Sequence, residues 1–489
     1  MTRPLWTLAE IVLAVSGIVD APDGKPGAVD AGLPVTGISI DTRTLAPGDL
    51  FVPLTDVRDG HEFVPAAFGR GAAAALVRAS YARQPGDGLL IRVDDPLAAM
   101  QRLGVAARSR ISPKARVVAV TGSAGKTGTK EMLRAALKAA AVSPDRVHAP
   151  EKSFNNHWGV PLTLARMPAD VDYAVFEIGM NHAGEISPLT RMVRPHVAIV
   201  TNVLPVHVGN FADGIEGVAS AKAEIFEGLE PGGAAVLLRD SDHFARLEAK
   251  ARRQGARIVT FGRHPASDAT LLSVEAHPEA SGDPVSHVVA RIEDGGEGFH
   301  VEYELGMPGE HLAVNSLAVV LALRELGCLR PASLKPLIEL RPPGGRGARV
   351  RIETTGGRPI LLLDESYNAN PASTRAALAN LAAVPREEFA RRIAVLGDML
   401  ELGAATNDFH IGLADATAGC DVVFCCGPAM RHLFDVLPDA RRGAWAPTSA
   451  DLLPLAVAAI SPGDVVMVKG SLGSRMAPIV DAVKKRFAG

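Results

Sequence analysis

The segment Thr121-Gly122-Ser123-Ala124-Gly125-Lys126-Thr127 contains the residue types that bind nucleotide phosphates. Two glycines let several backbone N–H groups point at one anion, a lysine reaches the outer phosphates, and a threonine hydroxyl can coordinate Mg²⁺. The spacing is not that of the standard Walker motif, because Val120 occupies the position of its first glycine. The alternative is an ordinary glycine turn in an α/β domain. The Gly-Lys-Thr ending favours nucleotide binding.

Three further residues could act beside these phosphates. Glu177 ends the apolar run Tyr173–Phe176, where an unpaired carboxylate would be costly. His207 follows another apolar run at 197–200, and Lys222 lies among small and apolar residues. A structural histidine and a solvated lysine remain the ordinary alternatives. A lysine near Mg²⁺ could instead be carbamylated. Because the carboxyl ends of parallel strands line one crevice, we expect Glu177 to be a second Mg²⁺ ligand there.

The elements that position these residues can be read from the apolar pattern. Arg116 to Val142 predicts a buried strand, a glycine turn and an amphipathic helix, which is the context that a phosphate-binding loop needs. A helix is predicted at Gly217–Leu229, and short alternating strands at about 264–304 predict a peripheral sheet. Asn315, in an Ala/Leu-rich helix, offers an amide that could read an adenine edge.

A chain of 489 residues is too long for one core, and we expect three α/β domains. Their predicted limits are 1–100, 101–328 and 329–489, with a Pro/Gly-rich linker at 342–347. The third unit is predicted to be doubly wound. Its predicted strands are Ile360–Asp364, Ile393–Leu396, Val422–Cys426 and Val465–Val468, and its predicted helices are Pro371–Ala383, Thr406–Ala418 and Ser474–Phe487.

Composition excludes several classes of protein. A net charge of −3 and an aromatic content of 4% argue against nucleic acid as the main partner. The cysteines, Cys328, Cys420, Cys425 and Cys426, lack metal-ligand spacing and are expected to be buried free thiols in a reducing compartment. No signal peptide and no membrane-spanning apolar run is evident. We therefore expect a cytoplasmic enzyme.

Two polar clusters have less specific signals. Ser39, Asp41, Thr42 and Arg43 would suit a sugar diphosphate, but spacing alone favours an exposed loop with an Asp–Arg pair. The segment Lys152–Pro161, with its paired amides, could bind a ligand or form a surface turn.

Three loops follow strands of the third unit, at 364–371, 397–399 and 469–475, and the last suits a phosphate or carboxylate.

Taken in order, these motifs resemble the Mur ligase family across essentially the whole chain. The shared marks are TGSAGKT at 121–127, Glu177, His207 after TNVLP, and AKAEIF at 221–226. Further segments resemble the branch that joins D-alanyl-D-alanine to UDP-N-acetylmuramoyl-tripeptide: SIDTRTLAPGDLFVPL, KSFNNHWGVPLTL, EIGMNHAGEI, DESYNANPAS, VLGDMLELG and KGSLGSRM. The Asp-Asn-Pro-Arg signature expected of the third-residue ligase is not found, and Ala124 replaces a frequent Asn.

The resemblance implies an N-terminal substrate domain, a central P-loop ATPase domain with a mostly parallel sheet, and a C-terminal Rossmann-like domain. It implies ATP and Mg²⁺ as cofactors, an acyl phosphate intermediate, and a monomer without membrane insertion. The nucleotide and one Mg²⁺ would be held by Gly122, Ser123, Ala124, Gly125, Lys126, Thr127, Asn315, Arg346 and Asp364. A second Mg²⁺ would be held by Glu177, His207 and a carbamylated Lys222, which with Lys126 would be the catalytic residues.

The resemblance also implies sites for the two substrates. The UDP-muramoyl-tripeptide would lie along Ser39, Thr42, Arg43, Asn155 and Asn156. D-Alanyl-D-alanine would be presented by Asn368, Asn370 and Ser471. Another amino-acid ligase of the same family and a nucleotide-binding protein without ligase chemistry remain the alternatives. The sequence does not distinguish meso-diaminopimelate from lysine at the third peptide position.

Overall fold

The computed structural model describes residues 4–22, 24, 29–150, 153–278, 284–342, 344–354 and 357–487. Lys152 of the predicted ligand segment and Pro343 of the predicted linker lie outside the described residues. The described chain forms three successive α/β units, each built on its own main sheet. This confirms the predicted three-domain α/β architecture.

The first unit has a five-stranded sheet in the order β2-β7-β6-β5-β4, with β4 to β7 parallel and β2 antiparallel at one edge. A small antiparallel pair, β1 with β3, lies beside it. The elements are β1 (Trp6–Thr7), α1 (Leu8–Val15), β2 (Ile18–Asp20), β3 (Pro34–Val35), β4 (Gly37–Ser39), β5 (Asp49–Phe51), α2 (Val64–Gly69), β6 (Ala74–Arg78), β7 (Leu90–Val93) and α3 (Pro96–Arg110).

The central unit has a nine-stranded sheet with apolar cores on both faces. Its elements are β8 (Arg116–Thr121), α4 (Lys126–Ala140), β9 (Val147–His148), α5 (Gly159–Ala165), β10 (Tyr173–Glu177), α6 (Ile186–Val193), β11 (Val197–Val200), α7 (Ile215–Ala223), β12 (Ala234–Leu238), α8 (Phe244–Arg253), β13 (Arg257–Gly262), β14 (Ala269–Pro278), β15 (Pro284–Asp294), β16 (Glu297–Leu305), α9 (Glu310–Glu325) and α10 (Pro331–Leu334).

The strand order of the central sheet is β16-β15-β14-β13-β12-β11-β8-β10-β9, and the strands are parallel from β9 to β14. The predicted peripheral sheet at about 264–304 is present as the outer edge of the central sheet. Those residues form three long antiparallel strands that extend the central sheet, since β14 pairs with β13 at Ala269 and Thr270. The alternating pattern indicated strands correctly, but it carries no information about which neighbour they pair with.

Helix α3 packs in one apolar core that includes residues of both the first and the central unit. Its residues Ala99, Met100 and Leu103 pack in the same cluster as Leu162 and Ala165 of α5. The predicted domain limit at residue 100 therefore falls inside a helix. Asp95 begins this helix as an N-cap, with its carboxylate accepting from the Ala98 N–H, and Pro96 occupies the first turn.

The third unit has a six-stranded sheet, ordered β17-β18-β22-β19-β20-β21, that is parallel except for β17. Its elements are β17 (Ala348–Ile352), β18 (Ile360–Glu365), α11 (Pro371–Ala382), β19 (Arg391–Gly397), α12 (Thr406–Ile411), β20 (Val422–Cys426), α13 (Met430–Val436), β21 (Arg442–Ala446), α14 (Ser449–Ala459), β22 (Asp464–Lys469) and α15 (Ala477–Phe487).

The predicted strands of the third unit are all present, whereas two predicted helices are shorter. The helix at 406–418 breaks after Ile411 into a turn and a 3₁₀ segment, and α15 begins at Ala477 after another 3₁₀ turn. Similarly, the predicted helix at 217–229 is α7 followed by a 3₁₀ segment, Glu224–Gly228. All four cysteines are buried and free, as predicted. Within the described ranges, no helix combines the length and apolar character that crossing a bilayer requires.

Candidate active site

The phosphate-binding loop joins β8 to α4 and is fixed by contacts that require its glycines. Gly122 has φ of 150°, and a Cβ there would lie 1.8 Å from Thr201 Oγ1. Gly125 has φ of 80°, and its Cβ would lie 2.3 Å from Asn315 Nδ2. Both positions therefore admit only glycine without rearrangement. Asn315, predicted to read adenine, lies buried against this loop.

The loop is also tied to the segment after β11. The Ser123 N–H donates to Asn202 O (3.1 Å), and the Ala124 N–H donates to Asn202 Oδ1 (2.9 Å). The Ser123 hydroxyl donates to Leu204 O (3.1 Å) and accepts from the Leu204 N–H (2.9 Å). The N–H groups of Ser123 and Ala124 are thus occupied, and those of the first turn of α4, which have no intrahelical acceptor, can donate to an anion.

Lys126 begins α4, and its ammonium folds back onto the loop, where Nζ donates to Gly122 O at 2.6 Å. Burial lowers the pKa of Lys126, the nearby Glu177 carboxylate raises it, and Arg346 lowers it further. Arg346 thus adds positive charge near this lysine. An anionic phosphate is the kind of ligand that such an arrangement would stabilise.

Thr127 and Glu177 meet at the carboxyl end of the central sheet. Thr127 Oγ1 donates to Glu177 Oε2 at 3.0 Å and lies 3.2 Å from Ser153 Oγ. Asn155 Nδ2 donates to the other carboxylate oxygen at 2.7 Å. Glu177 is only 1% exposed, and a hydroxyl and an amide group donate to its carboxylate. Ser153 was not singled out by sequence reasoning, although it follows Lys152 in a quoted motif.

Lys222 and His207 lie near the same lysine. Burial lowers the pKa of Lys222 well below its usual value, and the positive charge of Lys126 lowers it further. Burial also lowers the pKa of His207, whereas Glu401 raises it and Lys222 and Lys126 lower it. Among the described residues Lys222 has no hydrogen-bond or ion-pair partner. A neutral amine is favoured there, and a neutral amine is the form that can become a carbamate.

The donor set can be compared with the needs of Mg²⁺. In the part of the chain that the structure describes, no three His, Cys, Asp or Glu side chains cluster as a metal site. Mg²⁺, however, is commonly held by one or two protein oxygens together with substrate phosphates and water. The hydroxyl of Thr127 and the carboxylate of Glu177, 3.0 Å apart, fit that pattern beside a phosphate-binding loop.

Asp364 is hydrogen-bonded to the linker between the central and third units. Asp364 accepts from the Gly345 N–H (3.0 Å) and from the Ser366 hydroxyl (2.6 Å), so its carboxylate fixes the linker to β18. Arg346 stacks on the Tyr367 ring, with 4.2 Å from its guanidinium carbon to the ring centre. This places Arg346 between the central and third units.

The residues predicted to present D-alanyl-D-alanine mostly form hydrogen bonds within the loops of the third unit. Asn370 is the N-cap of α11, with its side chain accepting from the Ser373 N–H at 2.9 Å. Ser471 Oγ accepts from the Leu400 N–H at 2.9 Å, and the Ser471 N–H donates to Asp398 O at 3.1 Å, which joins two of the three loops. Among the described residues, the Ala369 N–H (2.9 Å) is the only donor to Asn368 Oδ1, which makes Asn368 the more available amide.

Sequence reasoning did not single out Lys469 at the end of β22. It is 2% exposed, and its ammonium donates to Asn368 O (3.0 Å) and to Glu365 Oε2 (3.3 Å). Burial lowers its pKa, while Glu365 raises it. The signal available in the sequence was a lysine directly after an apolar strand.

The predicted nucleotide-sugar residues of the first unit lie on the turn after β4. Ser39 is buried, and its hydroxyl donates to Asp41 O at 2.9 Å. Arg43 is 84% exposed and paired with Asp41 at 2.6 Å, as the simpler interpretation of the spacing predicted. Thr42 is half-buried beside them.

A cavity of about 1280 Å³ lies between the first and central units. Residues of α1, α3 and α6 line it, together with Asn155 and Asn156. Asn156 Oδ1 accepts from the N–H of Gly159, the first residue of α5, at 2.9 Å. Asn155 both lines the cavity and donates to Glu177, so it connects the cavity wall to the predicted metal site.

Comparison with known proteins agrees with this geometry. Residues 120–323 match the model of the Mur ligase middle domain, and residues 350–472 match that of the Mur ligase glutamate ligase domain. The UDP-N-acetylmuramoyl-tripeptide–D-alanyl-D-alanine ligase of Bacillus subtilis is 32% identical, over 91% of this chain and 92% of its own length. The Escherichia coli ligase of the same name is also 32% identical, over 97% and 99%.

Solved structures give the same result. MurF from Acinetobacter baumannii superposes with a TM-score of 0.81 at 26% identity, covering 99% of this chain and 100% of that one. MurF from Thermotoga maritima, solved in complex with ADP, has a TM-score of 0.70 at 24% identity, covering 92% and 97%, which supports the fold. With family models matching two units and relatives aligned along nearly the whole length, this chain belongs to the Mur ligase family.

Proposed function

We propose that this chain joins D-alanyl-D-alanine to UDP-N-acetylmuramoyl-tripeptide in peptidoglycan precursor synthesis, with consumption of ATP. The observation that carries the proposal is the hydrogen-bonded set of Thr127, Glu177 and Asn155. It joins the phosphate-binding loop to the cavity between the first two units. A ligase needs this juxtaposition, because the γ-phosphate of ATP must meet a carboxylate of the second substrate.

The phosphates of ATP would lie at the first turn of α4, where backbone N–H groups and the helix dipole favour an anion. Lys126 is the nearest cation, and its bond to Gly122 O would be exchanged for one to a phosphate oxygen. Arg346 would approach from the linker, while Asp364 would act on the nucleotide only through the linker that it fixes. Asn315 would contact the adenine or the loop beside it.

One Mg²⁺ would be bound by Thr127 at the phosphates, and a second by Glu177, His207 and a carbamylated Lys222. Bound there, the ions supply positive charge that offsets the repulsion between phosphate and carboxylate. The carbamate is supported by the amine of Lys222, which is buried, has no hydrogen-bond partner among the described residues and has a strongly lowered pKa. A protonated ammonium at that position would oppose metal binding.

The reaction has two steps. An oxygen of the tripeptide's terminal carboxylate bonds to the γ-phosphorus, and the bond from that phosphorus to the bridging oxygen breaks, which releases ADP. The amine of D-alanyl-D-alanine then attacks the acyl carbon. A C–N bond forms, phosphate leaves, and the amine's proton goes to the departing phosphate. Lys126 stabilises the charge that develops on the transferred group, and the closed units exclude water.

The UDP end of the first substrate would reach the turn of Ser39, Thr42 and Arg43. Its peptide would run along the cavity to Asn155. The acceptor would be presented by the third unit, where Asn368 is the amide least committed to its own loop. Asn370 and Ser471 would act through the loops that they hold. We also propose that the protein works as a cytoplasmic monomer, because both substrates can reach one site made by a single chain.

The test is phosphate release from ATP with both substrates present and with each omitted in turn. We expect release that requires both, together with a heavier UDP-linked product in mass spectra. Release with a free amino acid in place of the dipeptide would assign another activity of the family. Release that needs neither substrate, or no release, would contradict ligase chemistry.

A further inference from the structure

Two loops from different units meet beside the predicted metal site. One follows β11 and carries His207, and the other follows β19 and carries Glu401. His207 Nδ1 and Glu401 Oε2 are in direct contact, although 194 residues separate them in the chain. Among the described residues, this is the contact through which Glu401 is held, and the rest of its side chain is about half exposed.

The backbone at both residues is unusual. His207 has φ of 60° and Glu401 has φ of 63°, in the left-handed region that residues with a side chain seldom adopt. Each therefore departs from its loop in a direction that an ordinary extended residue would not provide. Both residues of this one contact have the unusual conformation. We infer that the two loops adopt it in order to form the contact.

Glycines allow the loops to approach. A Cβ built on Gly209 would lie 3.0 Å from the Gly403 Cα, and one built on Gly403 would lie 3.0 Å from the Gly209 Cα. Gly403 also has φ of 66°. A side chain at either position would push the loops apart and withdraw Glu401 from His207.

The contact has a chemical consequence for the imidazole. A carboxylate on Nδ1 holds the ring's proton on that atom and leaves the lone pair of Nε2 available. A metal-binding histidine is commonly oriented in this way by a carboxylate on its other nitrogen, which also makes the ring a stronger ligand. Glu401 comes from the third unit, so this support exists only when that unit lies against the central one.

We propose, on the basis of the proposed function, that Glu401 is a positioning residue for His207, the ligand of the second Mg²⁺. Closure of the third unit brings its carboxylate to His207 Nδ1 and completes the site. Metal binding at His207 and closure of the enzyme thereby favour each other. The tripeptide carboxylate would then be activated only after the unit that carries the acceptor is in place, which protects the acyl phosphate from water.

The test uses the full chain with Mn²⁺ as a spectroscopic substitute for Mg²⁺. Mn²⁺ binding is titrated by electron paramagnetic resonance with a non-hydrolysable ATP analogue, for the wild type, Glu401→Gln and Gly403→Ala. Glu387→Gln is the matched control, since Glu387 is an exposed glutamate of the same unit. Thermal unfolding of each variant is recorded in parallel.

We expect the wild type to bind two ions. Glu401→Gln should weaken the second ion by roughly 10- to 100-fold and leave the first ion and the unfolding midpoint unchanged. Gly403→Ala should weaken the same ion although Glu401 is intact, and Glu387→Gln should match the wild type. Unchanged titrations in Glu401→Gln, or equal weakening of both ions, would overturn the proposal.

The proposed function is tested separately in the same preparation by phosphate release with the two substrates. A wild type that binds two ions but makes no product would contradict the ligase assignment and not the role of Glu401. A wild type that makes product while Glu401→Gln binds Mn²⁺ normally would contradict only the positioning role.

Discussion

Thr127 and Thr129 lie two residues apart on α4 and are both buried, yet their hydroxyl groups have opposite surroundings. Thr127 Oγ1 donates to the buried carboxylate of Glu177 at 3.0 Å. Thr129 Oγ1 is buried without a hydrogen-bond partner within the described part of the chain. Replacing each threonine by valine, which has nearly the same shape, should therefore change stability in opposite directions.

The size of each effect follows from the hydrogen bonds. A bond to a charged group contributes about 1.5–3 kcal/mol, and a buried carboxylate that loses one of its donors is costly. Thr127→Val should thus destabilise the central unit by about 2 kcal/mol, or roughly 4–8 °C in unfolding midpoint for a unit of this size. Thr129→Val removes an unsatisfied hydroxyl and should stabilise by about 1 kcal/mol, or roughly 2–4 °C.

The assay is calorimetric unfolding of the nucleotide-free protein, with Thr127→Ser as a control that keeps the hydroxyl. ATP binding is then measured with Mg²⁺ and with a chelator. Thr127→Val should lose the gain in affinity that Mg²⁺ provides, whereas Thr129→Val should keep it. If both valine variants shift the midpoint in the same direction, the hydrogen bond between Thr127 and Glu177 does not determine the stability of this site.

Three further predictions concern the loop and its sheet. Lys126→Ala should reduce turnover by roughly 10³-fold without unfolding the protein, whereas Lys138→Ala on the same helix should not; retained turnover would contradict the phosphate role. Gly125→Ala should abolish measurable ATP binding by calorimetry, because its Cβ would lie 2.3 Å from Asn315 Nδ2 at a φ of 80°; wild-type affinity would argue against this loop geometry. Burial lowers the pKa of His148 to about 4. The ring is thus neutral in the folded state, and stability present above pH 6.5 should be lost toward pH 4 by about 1.4 kcal/mol per pH unit. The free energy of unfolding of His148→Gln, measured with urea, should fall less steeply between pH 6.5 and pH 4 than that of the wild type. An equal slope in the two proteins would refute this prediction.

The local part of this architecture was predictable from the sequence. The strand, turn and helix at 116–142 are found as β8 and α4, because apolar periodicity and glycine chemistry are properties of consecutive residues. The placement of Glu177 near Thr127 followed from the rule that parallel strands end at one crevice. The strands of the third unit were likewise found within a residue or two of their predicted ends.

What the sequence could not supply were pairings between distant segments. The extension of the central sheet by β14 depends on a short register with β13 that no periodicity records. The contact of His207 with Glu401 depends on how two units pack, and Glu401 had been noted only as part of a motif. Asn370 is the N-cap of α11, and its role in binding D-alanyl-D-alanine stays a prediction.

The packing of helix α3 limits where this protein can be cut into fragments that fold. One side of the helix completes the core of the first unit, and α5 of the central unit packs in the same cluster. Trp6 Nε1 also donates to Ala165 O at 2.8 Å across that boundary. A fragment ending at residue 100 would lack Leu103 and the rest of α3, would expose the apolar side chains that pack against them, and should aggregate. Chimaeras between relatives should therefore exchange the first two units as a single cassette, with the crossover placed at the linker.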